Sequence, residues 1–406
     1  MNQFFLLFLM SFCIILTSCS LRETTSTSPQ KISPQEEQLS PESSSQSEEL
    51  NSNSSTESDS SSDKEVFDLS NKNVENAEYK ISFEEIPFSE NFPDLAFTPT
   101  LFEDKLMLTF SLPLPDTQYN TMLYDFKTQT STILPFYAPN RFYADKTYYY
   151  YLSNRYSGEG ITTVMRMNRE TLEPETIYSS PEGYQLTCNL SFGDGFLVWA
   201  QVLSEGERDE GFEVWGYDIE KEEPFLIDPH CYGSLDYPHE INDGYLCYLS
   251  EQPSSKNPYL FIGYSLKERK QVASVATNSE PMSFVFNGTY FAWSDRLNGD
   301  QLYLSKKDGN EPFAIAEEAV CPIFIEDRYL LYTLGIPRNK IEIYDLVREE
   351  KLSLSRNVDL KEKESFLDFY STDGAKRAVF STRIKSANLG ENNARIFLLT
   401  VTENGE

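Results

Sequence analysis

The chain has 406 residues, with 64 acidic against 34 basic side chains and a net charge of −30. This charge argues against a nucleic-acid partner, because binding phosphates requires a positive face that displaces counterions. Hydrophobic residues make up 39% of the chain and aromatic residues 14%, enough for a large core, while a mean hydropathy of −0.46 excludes a multi-span membrane protein.

The N-terminus carries an apolar run from Phe4 to Leu16, which is too short to span a bilayer and is typical of a signal peptide. It ends in Leu16-Thr17-Ser18-Cys19, which resembles the lipobox of bacterial lipoproteins. The resemblance implies that residues 1–18 are removed and that Cys19 receives a diacylglyceryl lipid. The protein would then be membrane-anchored, facing outside the cytoplasm. The alternative is an ordinary cysteine in an apolar segment.

Residues 19–78 are predicted to be the lipidated cysteine followed by a disordered linker. Between residues 20 and 66 there are 16 Ser, 10 Asp or Glu and almost no large apolar side chains. Such a composition cannot bury enough surface to offset chain entropy. The linker would therefore tether a folded domain, residues 79–406, at a distance from the membrane.

Internal repetition is the strongest signal in this domain. Seven times, an Asp- or Asn-centred turn precedes a short aromatic and aliphatic strand, a pattern that favours β-hairpins. The turns begin at Asp104, Asp145, Asp194, Asp243, Asn287, Asp327 and Asp373, 40 to 49 residues apart. A second motif follows each turn, for example Leu123-Tyr-Asp125, Gly216-Tyr-Asp218 and Ile343-Tyr-Asp345. Four strands per repeat without a helical pattern are typical of propeller blades.

The repeats resemble those of TolB-like β-propellers, most clearly at Asn287-Gly288 through Asp308-Gly309 and at Ser371-Thr-Asp373-Gly374 through Ser381. No Trp-Asp dipeptide occurs, so the chain is not predicted to be a WD-repeat protein. The predicted fold is all-β, a propeller of seven four-stranded blades, with six or eight as alternatives. The strand at Tyr79–Phe88 is expected to pair with Ala394–Val401, joining the last blade to the N-terminus and covering an open edge.

The connections between second and third strands are long, and long loops on a rigid scaffold are where binding concentrates. Six of the seven carry basic residues, although the domain from residue 67 has a net charge of −23 once the −7 of residues 20–66 is removed from −30. The predicted ligand-binding residues are Arg155, Arg208, Lys256, Arg296, Arg338, Lys340, Arg383 and Lys385. They would bind an anion such as a uronate, a teichoic acid or a phospholipid headgroup. The alternative is scattered solubilising charge.

Both histidines lie in one predicted connection, from Asp228 to Glu240, together with Cys231, a combination that suggests zinc chemistry. The spacing fits no short ligand pattern, so no metal or cofactor is assigned. Cys188, Cys231, Cys247 and Cys321 permit disulfides in an exported protein, but their repeat positions favour buried free thiols. The 25 tyrosines, including Tyr148–Tyr151, are interpreted mainly as packing between blades rather than as sugar platforms.

The favoured function is that of a non-catalytic, lipid-anchored binding or scaffolding protein. Its expected partners are the membrane, through the Cys19 lipid, and an envelope glycan, anionic polymer or protein complex. The alternative is a polysaccharide-active enzyme, a glycoside hydrolase or lyase that uses carboxylates at the channel mouth. Acidic residues are so abundant that the sequence singles out no pair, and no catalytic residue is assigned.

Overall fold

The computed structural model describes residues 79–86, 96–110, 121–138, 141–154, 161–203, 211–231, 240–251, 256–278, 281–296, 299–308, 311–325, 327–335, 339–352, 360, 364–370, 377–384 and 394–403. All of them belong to the second of two compact units, Lys64–Glu406. The predicted signal peptide, Cys19 and the linker lie outside the described residues.

The described residues form 28 strands and no helix, so the search for a membrane-spanning helix among them finds none. The strands are β1 (Tyr79–Glu85), β2 (Ala96–Phe102), β3 (Lys105–Phe110), β4 (Thr121–Asp125), β5 (Thr130–Ile133), β6 (Phe142–Ala144), β7 (Tyr148–Asn154), β8 (Ile161–Asn168), β9 (Pro174–Ser179), β10 (Tyr184–Gly193), β11 (Phe196–Leu203), β12 (Phe212–Asp218), β13 (Glu223–Cys231), β14 (Glu240–Asn242), β15 (Tyr245–Glu251), β16 (Tyr259–Ser265), β17 (Lys270–Thr277), β18 (Pro281–Phe286), β19 (Tyr290–Asp295), β20 (Gln301–Lys306), β21 (Phe313–Ala316), β22 (Ala319–Ile325), β23 (Tyr329–Leu334), β24 (Lys340–Asp345), β25 (Glu350–Leu352), β26 (Glu364–Tyr370), β27 (Arg377–Ile384) and β28 (Ala394–Glu403).

The strands pair in antiparallel groups of four. Group 1 is β2–β5, group 2 is β6–β9, group 3 is β10–β13, group 4 is β14–β17, group 5 is β18–β21, group 6 is β22–β25, and group 7 is β26–β28 with β1. A single pair, Leu186 with Ile161, joins groups 2 and 3 into one eight-stranded sheet. The other five groups are separate four-stranded sheets. The protein is therefore all-β and built from repeated antiparallel sheets.

The N-terminal strand completes the last group, as the sequence predicted. β1 pairs with β28 in an unbroken register from Tyr79 opposite Glu403 to Glu85 opposite Phe397. The ladder extends further, since the backbone N–H of Ile86 donates to the carbonyl of Ile396 at 2.9 Å. Strands from the two ends of the domain thus share one sheet, and β28 has no open edge.

The repeated turn residues cap their own hairpins. In the turn between first and second strands, the Asp145 and Asn287 side chains accept backbone N–H bonds from residues two and three positions later, at 2.6 to 3.1 Å. The second motif does the same between third and fourth strands, where Asp125 and Asp345 each accept two such bonds at 2.9 to 3.1 Å. Both motifs are therefore turn-forming motifs of the kind that Asp and Asn side chains favour.

An aromatic side chain in the second strand of most groups is buried between sheets. These residues are Tyr150, Trp199, Tyr248, Trp293, Tyr332 and Phe380, each at most 3% exposed. The hydroxyls are satisfied by carboxylates, since Tyr150 donates to Asp145, Tyr248 to Asp228 and Tyr332 to Glu342, at 2.6, 3.1 and 2.9 Å. Buried tyrosines of this kind need such partners.

Seven clusters of buried hydrophobic side chains fill the spaces between sheets. Each cluster contains residues of two groups, and the pairs are 1 with 2, 2 with 3, 3 with 4, 4 with 5, 5 with 6, 6 with 7, and 7 with 1. Removing these faces from water is the main favourable contribution to the free energy of folding of a protein built from sheets.

A buried ion pair ties β1 to the rest of group 7. The Glu364 side chain is fully buried and accepts hydrogen bonds from Thr382 and from two nitrogens of Arg395, at 2.8 and 2.6 Å for the arginine. Arg395 also donates to Glu85 of β1 at 2.9 Å. One guanidinium on β28 therefore joins the first and last strands of its sheet.

We predict that Arg395→Ala lowers the free energy of unfolding by about 3 kcal/mol, because it leaves the Glu364 carboxylate buried without its cation. Urea unfolding of the purified protein measures this. The matched control is Lys270→Ala, whose ion pair with Glu268 is exposed on both sides and should change stability by less than about 0.5 kcal/mol. Equal effects of the two substitutions would contradict the role given to Arg395.

Candidate functional site

Each group has one end where the connection between its second and third strands attaches, here called the loop end. The connections are residues 111–120, 155–160, 204–211, 252–258, 296–300, 335–339 and 385–393. The opposite end, with the turns between first and second strands, is called the turn end. At the turn end, neighbouring groups meet directly, since the backbone N–H of Gly244 donates to Asp194 at 2.6 Å. The turn ends of groups 3 and 4 therefore lie next to each other.

Four of the eight predicted basic residues have described positions, all at the loop end. Lys256 precedes β16, Arg296 follows β19, Lys340 begins β24, and all three are exposed. Arg383 lies opposite Ala394 near the end of β27, and its side chain lies outside the described residues. These residues belong to the consecutive groups 4, 5, 6 and 7. Arg155, Arg208, Arg338 and Lys385 lie outside the described residues, and convergence of the set on one ligand stays a prediction.

The histidine and cysteine segment is partly a strand rather than a connection. β13 continues through His230 and Cys231, and it tolerates Pro229 because it is the outermost strand of its group. His230 is exposed, whereas Cys231 is buried and donates its thiol proton to the carbonyl of Leu249 at 3.0 Å. Burial raises the pKa of the Cys231 thiol.

Cys231, Cys247 and Cys321 are free thiols, the first two of them buried and the third half-buried, and the side chain of Cys188 lies outside the described residues. The interpretation as buried free thiols is confirmed for Cys231 and Cys247. The tyrosine run is likewise part of the core. Tyr149 and Tyr151 face the cluster between groups 1 and 2, and Tyr150 faces the cluster between groups 2 and 3.

Sequence reasoning missed a set of residues between groups 2 and 3, here called the aromatic–carboxylate cluster: Tyr178, Gln201, Glu213 and Trp215. The Tyr178 hydroxyl donates to Gln201 Oε1 at 2.7 Å, and the Gln201 amide donates to Glu213 Oε2 at 3.0 Å. The Trp215 indole N–H donates to the same carboxylate oxygen at 2.7 Å. Gln201 is buried, and the other three are partly exposed.

Strand geometry explains this cluster. Gln201 lies opposite Glu213, and Trp199 opposite Trp215, on the antiparallel strands β11 and β12. Side chains two residues apart share a face, so all four project toward group 2, where Tyr178 of β9 packs against both tryptophans. The alternation in Glu213-Val-Trp215 indicates in the sequence that Glu213 and Trp215 share a face. The contact with Tyr178 is not indicated in this way, because Tyr178 is far from both residues in the sequence.

Three carboxylates interact at the turn end. Burial and the charges of Asp327 and Asp194 raise the pKa of Asp243. Asp194, Asp243 and Asp327 occupy equivalent turns of groups 3, 4 and 6, and all three are exposed. They form an exposed acidic patch rather than a deep pocket, and among the described residues no group of His, Cys, Asp and Glu could hold a metal ion.

No protein-family model matches this chain, and no curated protein sequence matches it. Among solved structures, it is similar to an oligogalacturonate lyase in complex with manganese, with 14% identity over 74% of this chain and 86% of that one and a TM-score of 0.48. The oligogalacturonate lyase of Vibrio parahaemolyticus has 14% identity over 79% and 96%, with a TM-score of 0.46. BamB from Moraxella catarrhalis has 8% identity over 73% and 81%, with a TM-score of 0.44.

We predict that Asp243→Asn raises the melting temperature at pH 7 by about 1–2 °C. The pKa of Asp243 is raised in the folded state, so its ionised form opposes folding, and this cost is present only above the pKa of the unfolded carboxyl, about 3.9. The gain in melting temperature should therefore disappear near pH 3.5. Asparagine also suits the positive φ of 49° at this turn.

Asp104→Asn is the control with the opposite sign, because hydrogen bonding to Lys127 lowers the pKa of Asp104 at the equivalent turn of group 1. It should lower the melting temperature at pH 7 and have little effect near pH 3.5. Thermal unfolding followed by circular dichroism at both pH values measures each variant. A loss of stability for Asp243→Asn at pH 7 would refute the assigned repulsion.

Proposed function

We propose that this chain is a lipid-anchored, extracytoplasmic β-propeller that binds or scaffolds an envelope ligand without catalysis. The groups would be seven blades arranged in a ring, closed by the pairing of β1 with β28. Two observations support this arrangement: consecutive groups share buried clusters, and a further cluster joins group 7 to group 1. Propeller blades pack face to face in this cyclic way.

The anchor follows from the sequence. Leu16-Thr17-Ser18-Cys19 after the apolar run has the pattern of a lipobox, and residues 20–66 have the composition of a tether. One acyl chain holds a protein to a membrane only marginally, but two hold it stably, and diacylglyceryl attachment meets that condition. The chain would be held at a membrane surface outside the cytoplasm.

The binding function rests chiefly on one observation, the asymmetry between the two ends of the scaffold. Turns between first and second strands are as short as residues 103–104 or 243–244, whereas connections at the loop end run as long as residues 111–120 or 385–393. Exposed Lys256, Arg296 and Lys340 lie at that end of an otherwise acidic domain. Long loops and basic side chains on a rigid body suit recognition of an anionic polymer.

The enzymatic alternative has weaker support. A glycosidase or lyase needs carboxyl groups of separated pKa in a site that excludes water. Asp243, Asp194 and Asp327 interact, but they are exposed and lie at the turn end, away from the long connections. Other buried carboxylates serve the fold, as Asp345 does with Arg328 and Glu364 does with Arg395.

We predict that Cys19→Ala abolishes lipid attachment, because the thiolate that accepts the diacylglyceryl group is removed. The protein should be released from membranes or accumulate as an uncleaved precursor. Metabolic labelling with a fatty acid and fractionation of cells measure both outcomes. Cys13→Ala is the matched control, since Cys13 lies in the same apolar run and should leave labelling intact. Unchanged processing and labelling of Cys19→Ala would refute the anchor.

We predict that the triple variant Lys256→Glu, Arg296→Glu, Lys340→Glu weakens binding of polygalacturonate or polyglycerol phosphate about tenfold or more, because attractive contacts become repulsive. Co-sedimentation of the full chain with each polymer at low and high salt measures this. The matched control is Lys267→Glu with Lys307→Glu, two exposed lysines in turns between third and fourth strands.

The control should leave binding close to that of the unaltered protein apart from a small change due to net charge. Equal losses in both variants, or no retention of either polymer by the unaltered protein, would refute the anion-binding loop end. Chain length of the polymer is followed in the same samples. Shortening of the polymer would refute the non-catalytic part of the proposal.

A further inference from the structure

The chain repeatedly places an arginine between an aromatic ring and carboxylates. The guanidinium of Arg166 lies 4.5 Å from the ring centre of Tyr148 and pairs with Glu175 and Glu222, at 2.8 and 2.6 Å. The guanidinium of Arg269 lies 4.4 Å from the ring centre of Phe225, and it pairs with Asp218 and Glu223. Both contacts link group 3 to a neighbouring group.

Two more arginines repeat this arrangement. Arg328 lies 5.1 Å from the ring centre of Tyr329 and pairs with Asp345, and Arg395 lies 4.9 Å from that of Phe397 and pairs with Glu364. A planar guanidinium combines stacking on an aromatic face with hydrogen bonds to a carboxylate. This unit, aromatic ring plus arginine plus carboxylate, is therefore a recurrent contact of the fold.

The aromatic–carboxylate cluster has the same construction, but among the described residues no lysine or arginine pairs with Glu213. Its rings are Tyr178 and Trp215, with centres 5.6 Å apart, and both are partly exposed. Its carboxylate is held in place from one side, since Glu213 Oε2 accepts from Gln201 and from the Trp215 indole. No described donor is bonded to Glu213 Oε1.

The direction of the hydrogen bonds selects the ligand. Tyr178 uses its proton on Gln201, Gln201 donates to Glu213, and the Trp215 N–H is also taken. What remains for a ligand is an acceptor oxygen, one negative charge and the exposed parts of two aromatic rings. An anion would be repelled, whereas a cation with several N–H donors would satisfy all three features. The net charge of −23 on the domain would also steer a cation toward this surface.

We propose that the aromatic–carboxylate cluster binds the guanidinium of an arginine side chain on a basic polypeptide partner. The partner's arginine stacks on the exposed aromatic surface of Trp215 and Tyr178 and donates to Glu213 Oε1. This site is distinct from the basic loops of groups 4 to 7, and its failure would leave the anion-binding proposal standing.

Group 5 provides a matched control site within the same chain. Trp293 lies opposite Tyr303, and Asp295 opposite Gln301, in the register that Trp199, Trp215, Gln201 and Glu213 have in group 3. Tyr303 donates to Gln301 at 2.7 Å, so an amide stands where group 3 has the Glu213 carboxylate. Trp293 also stacks on Tyr303, with ring centres 5.6 Å apart. The two sites differ in the position of the carboxylate: in group 5 it is Asp295, fully buried at the position of Gln201, and in group 3 it is the partly exposed Glu213.

The test uses the purified full chain labelled with 5-fluorotryptophan. The chain has three tryptophans, which give three fluorine NMR signals. Trp215→Phe and Trp293→Phe assign the signals. The probe is a Gly-Arg-Gly tripeptide blocked at both ends, and the control probe contains citrulline, which has nearly the same shape without the charge. The Trp215 signal should shift saturably with the arginine peptide, the Trp293 signal should not, and Glu213→Gln should weaken binding about tenfold.

Arg208→Gln is measured in parallel, because Arg208 lies five positions before Glu213 in the sequence and could compete for the site. A saturable, charge-dependent shift in either protein supports the proposal. Absence of a Trp215 shift in both proteins overturns it. An equal shift with the citrulline peptide, or unchanged affinity in Glu213→Gln, also overturns it, because the carboxylate would then not be the recognition element.

Discussion

Face-to-face packing of neighbouring sheets is the constraint on which the rest of the structure depends. A four-stranded antiparallel sheet with two apolar faces cannot be stable alone, because each face must be removed from water. In this chain both faces of an interior group are covered by its neighbours, as Tyr149 and Tyr150 on opposite faces of β7 illustrate. The first and last groups also share a buried cluster, to which Ile86, next to β1, contributes.

Local features of this architecture could be predicted from the sequence because they are encoded locally. Asp145 and Asn287 mark turns, since their side chains accept bonds from the backbone two and three residues later. Tyr150 and Trp293 mark buried strands through their spacing from those turns. The pairing of Tyr79–Glu85 with β28 was also predictable, because the last repeat lacked a fourth strand.

Contacts between groups could not be predicted, because the residues involved are far apart in sequence and share no motif. Tyr178 and Gln201 meet only when β9 of group 2 packs on β11 of group 3, and Arg166 reaches Glu222 in the same way. The end of β13 was misjudged for a related reason: its proline and polar residues suggested a loop, but an outermost strand tolerates them. The basic loop residues were found by charge alone, which locates them in sequence without fixing their mutual distances.

Charge placement in this acidic domain follows from the same packing. Sheets that meet face to face expose carboxylates at their margins, and repulsion between these carboxylates opposes packing of the sheets unless cations lie between them. Two arginines lie between groups in this way: Arg166 of group 2 pairs with Glu222 of group 3, and Arg269 of group 4 pairs with Asp218 and Glu223 of group 3. At Arg269 the ring belongs to the neighbouring sheet as well, since Phe225 lies in group 3. Glu213 and Trp215 offer the same combination of carboxylate and ring while remaining partly exposed, so the interaction by which group 3 holds Arg269 is the one proposed for a basic partner.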